Sequence, residues 1–174
     1  MKTLVRAALA ALAATAALVI PTATQAAPIS TTYAVVGYEY AFTQTVGSFA
    51  GRAVGNAGDT GLWNTTVQHD PLGSMPTYID GGTFAMTTVR SGGSVDYVHG
   101  DFVYHGGTIT TLDPGAGCTN QRYLVTGKLT KVATSTPSGG TGSFSVVLTH
   151  YRYSLFGHCI VYKARVSGTA SFTY

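Results

Sequence analysis

The chain holds two cysteines, five histidines and seven carboxylates, and any nucleophilic, metal-binding or acid–base chemistry has to be assembled from these few groups. Cys118 and Cys159 admit three uses. A zinc site built on two thiolates needs His or carboxylate ligands at short spacing. His158 adjoins Cys159, but successive residues of a strand point to opposite faces, so the two do not meet at one ion. A nucleophilic thiolate needs a neighbouring base and a lowered pKa, and pairing with the other cysteine would silence it. Two cysteines allow one connectivity, and in an exported chain that connectivity is the predicted outcome. A Cys118–Cys159 bridge closes a loop of about 40 residues, worth about 4 kcal/mol in the chain-entropy account.

The histidines divide by face. His99 and Asp101 lie on one side of an alternating segment, about 7 Å apart at Cα, with His105 further along that side. The other side carries Val98 and Phe102, so the polar side is predicted to meet solvent. His69 and Asp70 precede Pro71 and read as loop punctuation. His150 and Arg152 differ, because they continue the face that begins with Phe144, Val146 and Leu148. If that face points inward, both enter the protein near a strand end. Arg152 would then clamp a carboxylate, and Tyr38, Tyr40, Tyr104 and Tyr162 would supply apolar walls with hydroxyl tips. These six residues are the predicted ligand-binding set. The sequence has no Gly-x-Ser-x-Gly elbow, no His-Glu-x-x-His and no Gly-Lys-Ser phosphate cradle, and "GSFAG" at 47–51 has its serine one place early. Spacing selects no glycosidase pair among Asp70, Asp80, Asp96, Asp101 and Glu39. The reading therefore names no catalytic residue, no metal ligands and no cofactor.

The elements that would position these groups are strands. "TYAVVGYEYAFTQTV" alternates, with Val36, Tyr38, Tyr40 and Phe42 on one side and Val35, Glu39, Ala41 and Thr43 on the other; the aromatic side is predicted to face inward. Phe84 with Met86, Val98 with Phe102 and Tyr104, Tyr123 with Val125 and Leu129, and Ile160 through Tyr174 give further period-two faces. Separators such as "SGG", "HGG", "DPGAG" and "TPSGGTG" carry the Gly and Pro that tight turns use. With 22 glycines, 11 tyrosines and a single glutamate, Glu39, the composition disfavours surface helices. The predicted fold is all-β: an antiparallel up-and-down meander of about eight strands closed into a barrel, the alternative being a two-sheet sandwich. Closure removes exposed edges and leaves an interior suited to one small ligand. Positions 47–76 are predicted to be long loops around a short strand near Trp63.

Residues 1–27 have the layout of a secretory signal peptide: Lys2 and Arg6, an apolar run from Leu4 to Ile20, then Pro21 and small residues up to Ala27. Its removal leaves about 147 of the 174 residues, 28–174, a single domain able to bury its own core. No second long apolar stretch follows, so no membrane anchor is expected after cleavage. The ten basic residues fall to eight without Lys2 and Arg6, against seven acidic, a net charge of about +1 that argues against a nucleic-acid partner. The predicted location is extracellular, and the predicted partner is a small molecule or an extracellular protein.

"GGTGSF", Gly139 to Phe144, resembles the segment before a late strand in the dirigent and allene oxide cyclase barrels, secreted or plastid eight-stranded barrels with an internal hydrophobic pocket. The likeness covers six residues and departs at "SVVLTHYR"; the acidic pocket residues of those families find no matching positions. It implies a barrel and leaves activity open. Three functions follow as expectations. The first is a non-catalytic binding module for a small apolar, aromatic or carboxylate ligand. The second is an extracellular structural or protein-interaction domain. The third is a barrel enzyme of that kind using His150 or Asp101 in a pocket, which requires His150 buried beside an acid.

Overall fold

The computed structural model describes residues 28–73, 76–133 and 139–173. The predicted signal peptide, Thr136–Ser138 of the "TPSGGTG" turn and Tyr174 lie outside the described residues. The strands are β1 (Ser30–Phe42), β2 (Val46–Gly55), β3 (Thr60–His69), β4 (Thr77–Val89), β5 (Val95–Phe102), β6 (Thr108–Asp113), β7 (Gln121–Ala133), β8 (Gly140–Leu155) and β9 (His158–Thr173). A 3-10 turn at Ala116–Cys118 precedes β7.

Hydrogen-bonded neighbours run β1, β2, β3, β4, β5, β7, β8, β9 and back to β1, all antiparallel. This is a closed eight-stranded barrel, and closure rules out the sandwich. The ninth strand, β6, stands outside the ring of eight and continues the course of β5: it bonds β4 at Thr77 and Tyr78 and β7 at Arg122 to Thr126. The break between β5 and β6 is a tight turn in which Gly106 N–H donates to Val103 O and His105 takes a left-handed φ of 53°.

Alternation places one apolar residue in two inside the ring. The core includes Val98 and Phe102, Tyr123, Val125 and Leu129, Leu148, and Ala164, Val166 and Phe172, with Phe144 and Val146 packed against it, as the period-two faces predict. Two expectations fail. Positions 47–76 are mostly strand, occupied by β2 and β3. Their Gly and Thr content resembles loop composition, yet the glycines serve packing: the indole of Trp63 lies inside against Gly37 and Gly51, where an added Cβ would come within 2.5 Å and 2.8 Å of the ring. Trp63 Nε1 donates to Arg52 O at 3.0 Å.

The second failure is the face of β1. Tyr33, Val35, Gly37 and Glu39 point inward and Val36, Tyr38 and Tyr40 point out, while Phe42, past the register shift after Glu39, pairs with Gly47 and lines the mouth of the barrel. The reason is volume. Gly37 pairs with Gly51 in β2, and the space over this glycine pair is filled by Trp63, so at this level of the barrel β1 has no room for a bulky inward side chain.

Candidate functional site

At one end of the barrel the inner face changes from apolar to polar. Glu39 is the last inward residue of β1 before a register shift between Glu39 and Ala41. His150 is an inward residue of β8, in register with Ala164 of β9. Ala164 is also the next inward residue of β9 beyond Val166, which pairs with Gly37. The small Ala164 side chain thus lies in the row between β1 and β8 and lets Glu39 and His150 meet across it. Glu39 Oε2 and His150 Nε2 are 3.1 Å apart, with the side chains 6% and 12% exposed. Gly47 makes room for the acid, since a Cβ there would come within 2.8 Å of Glu39 Oε1 and 2.7 Å of the Phe49 ring.

Tyr123 of β7 presents a ring edge to the His150 ring, with centroids 5.5 Å apart. Burial pushes its hydroxyl pKa above the ordinary 10.0, and the Arg152 guanidinium pulls it part of the way back. His69 closes β3 as an inward, buried residue, its Nδ1 2.6 Å from the carbonyl of Asp70. Asp70 accepts from the Tyr78 N–H at 3.0 Å, which fixes the turn that holds the ring. Glu39, His69, Tyr123 and His150 together line a mouth cavity of about 60 Å³.

A second cavity, of about 70 Å³ and wholly apolar, lies deeper in the barrel among Trp63, Phe84, Phe102, Phe144 and Phe172. Both cavities are bounded by Phe49, Val67, Val125 and Leu148, so they lie in line, the polar one at the mouth and the apolar one beneath. Among the described residues no buried side-chain nitrogen or oxygen lacks a partner. Among the described residues neither His150 Nδ1 nor the Tyr123 hydroxyl has a hydrogen-bond partner, so both atoms keep access to solvent, and both residues line the mouth cavity.

Of the six residues singled out from sequence, His150 alone lines this site. The face from Phe144 to Leu148 does point inward, but a register shift separates Tyr151 from Arg152, and the arginine does not line the cavity, although its charge still reaches the Tyr123 hydroxyl. The Arg152 guanidinium donates to Gly115 O at 3.4 Å, and its backbone N–H donates to Asn120 Oδ1 at 3.3 Å. The tyrosines are outside. Tyr38 and Tyr40 are 53% and 66% exposed by the facing of β1. Tyr162 has the inward parity of β9, but β1 stops pairing at Arg165, so its stretch of β9 projects past the barrel and it is 61% exposed. Tyr104, 68% exposed, sits in the turn between β5 and β6, stacked on His105 at 3.9 Å. Tyr38 and Tyr151 flank the Lys163 ammonium, at 5.1 Å and 5.9 Å.

Sequence reasoning missed Glu39, His69 and Tyr123 as a group. One signal was available: Glu39 is the single glutamate of the chain and sits on the less bulky face of β1. The loop reading of His69 fails, because His69 ends β3 as a buried residue, whereas the solvent-facing reading of His99, Asp101 and His105 holds. Asp101 meets Lys131 at 3.1 Å and His105 meets Asp80 at 3.2 Å, on side chains open to solvent. Cys118 and Cys159 are joined, with Cα atoms 5.5 Å apart, tying the turn before β7 to the start of β9. Among the described residues no three His, Cys, Asp or Glu side chains are grouped to hold a metal ion, and no helix is long and apolar enough to cross a membrane. The chain matches no protein family, no curated protein and no solved structure.

Proposed function

We propose that the protein is an exported barrel that binds a small neutral molecule consisting of one ring or short chain with a single oxygen-bearing head. The observation that carries this reading is the alignment of an apolar cavity beneath a polar mouth. The two aligned cavities, of about 70 Å³ and 60 Å³, are together well below the several hundred Å³ of a drug-sized site, so the guest is no larger than a single ring or a short alkyl chain spanning both. Its oxygen would lie in the mouth, where the Tyr123 hydroxyl donates and His150 Nδ1 accepts. The joined cysteines suit an oxidising compartment, which agrees with export.

The carboxylate ligand considered from sequence fits less well. Arg152 does not line the mouth, and Glu39 does, so an anionic head would meet a carboxylate. The test is thermal unfolding and calorimetry of the 28–174 chain with phenol, cyclohexanol and cyclohexanone against benzoate. The neutral compounds are expected to raise the midpoint, by about 2.7 kcal/mol of stabilisation at a hundred times the dissociation constant. Leu148→Trp, which fills the shared wall, is expected to abolish the shift. Indifference of the parent to every compound would sink the reading.

A further inference from the structure

We infer that the barrel mouth is a proton-transfer site acting on carbon next to a carbonyl group, with His150 as the base, Tyr123 as the hydrogen-bond donor to the carbonyl oxygen, and Glu39 as a positioning residue. The inference rests on the binding reading above and goes beyond it, since binding alone requires no base.

Four observations support it. Glu39 holds Nε2 of His150 at 3.1 Å; with the proton on Nε2, hydrogen-bonded to the carboxylate, Nδ1 carries the free lone pair. A base oriented by an acid on its far nitrogen is the arrangement that makes an imidazole an effective proton acceptor, because the carboxylate stabilises the imidazolium as it forms. His150 and Tyr123 both line the mouth cavity, and among the described residues Nδ1 and the Tyr123 hydroxyl have no hydrogen-bond partner. The Tyr123 pKa is raised by burial, which keeps the hydroxyl protonated and able to donate. The cavity beneath is apolar throughout, so an enolate formed above it is shielded from water on one side.

The step balances without a co-reactant. The α C–H bond of a small ketone breaks and its proton passes to Nδ1. The bonding electron pair moves into the C–C–O system, giving an enolate whose oxygen accepts from Tyr123. The proton, or a deuteron exchanged from solvent, then returns to carbon. With a saturated ketone the net result is hydrogen exchange, and with an unconjugated enone it is migration of the double bond.

Cyclohexanone is the probe. Deuterium entry at its α carbons in D₂O is followed by proton NMR, and binding is read in the same tube by saturation transfer from protein to ketone. The parent protein is expected to accelerate exchange at least about a hundredfold over buffer, the usual lower bound for a positioned base. His150→Gln should return exchange to the buffer rate while saturation transfer persists. Glu39→Gln should lower the rate constant and leave the half-saturating ketone concentration unchanged, a split that mere loss of folding does not produce. Tyr123→Phe, which keeps the ring, should lower the rate about tenfold or more by removing one hydrogen bond to developing charge. Saturation transfer with exchange at the buffer rate would overturn the proton-transfer inference and leave the binding reading standing. Absence of saturation transfer with cyclohexanone and with phenol would overturn both.

Discussion

The two ends of the barrel are built on different principles. At the end formed by the start of β1 and the finish of β9, Tyr33, Met86, Val98, Val132 and Phe172 are all at most 2% exposed, and Phe172 packs against both Tyr33 and Phe84 with ring centroids 6.0 Å and 5.2 Å apart. At the other end the same ring of strands presents Glu39, His69, Tyr123 and His150 to a cavity. One end carries the close-packed contacts that hold the barrel shut, and the other gives up apolar packing for titratable groups. The same strands serve both, because each passes from the packed end to the mouth and its inward residues change character along the way.

That contrast can be broken first at the packed end. Phe172→Ala should cost about 3–5 kcal/mol, a fall of about 2–4 °C in Tm per kcal/mol for a domain of this size, measured by thermal and urea unfolding. The joint replacement of Cys118 and Cys159 by serine should cost up to about 4 kcal/mol, because the 41-residue separation is no longer closed in the unfolded chain. A loss from the cysteine variant that exceeded the loss from Phe172→Ala would reverse the assignment of stability to the packed end.

The mouth is tested by a double-mutant cycle on Glu39→Gln and His150→Gln, with an expected coupling of about 1–3 kcal/mol because both side chains are nearly buried. Additivity of the two changes would mean that the pair does not act as a unit. Ala164→Leu sharpens the point: it wedges a branched side chain into the row between the partners, so the cycle repeated in that background should lose most of its coupling.

A smaller effect is expected at alkaline pH. The Tyr123 pKa is raised in the folded protein above 10.0, so the folded state keeps a proton that the unfolded chain releases. The resulting stability is fully present below that pH and is lost as pH rises toward the folded value. Tyr123→Phe should therefore flatten the decline in stability above pH 10, read as Tm across an alkaline series. The smallest effect belongs to the outer surface, where Tyr38→Ala removes one cation–π contact with Lys163 and should cost about 0.5–1 kcal/mol.

Much of the barrel was legible because period-two alternation and glycine-bearing turns are local signals, and the strands around Phe84, Val98, Tyr123, Leu148 and Val166 follow them directly. The disulfide was legible for a related reason. Strands that alternate in direction bring Cys118 and Cys159 to one end whatever their exact register.

The facing of β1 was not legible, since both of its faces hold apolar side chains, and the choice between them turns on Trp63 lying against two glycines on different strands. The mouth was hidden for the same reason. Glu39 and His150 are 111 residues apart and meet across Ala164 only because β1, β9 and β8 are neighbours in the closed ring. Alternation along the chain thus determined the fold class, most of the core and the one covalent link, all of which depend on local patterns or on a single possible pairing. Which face of β1 is inner, where Arg152 turns, and which acid meets which base depend on interior volume and inter-strand register, quantities that exist only once the barrel has closed.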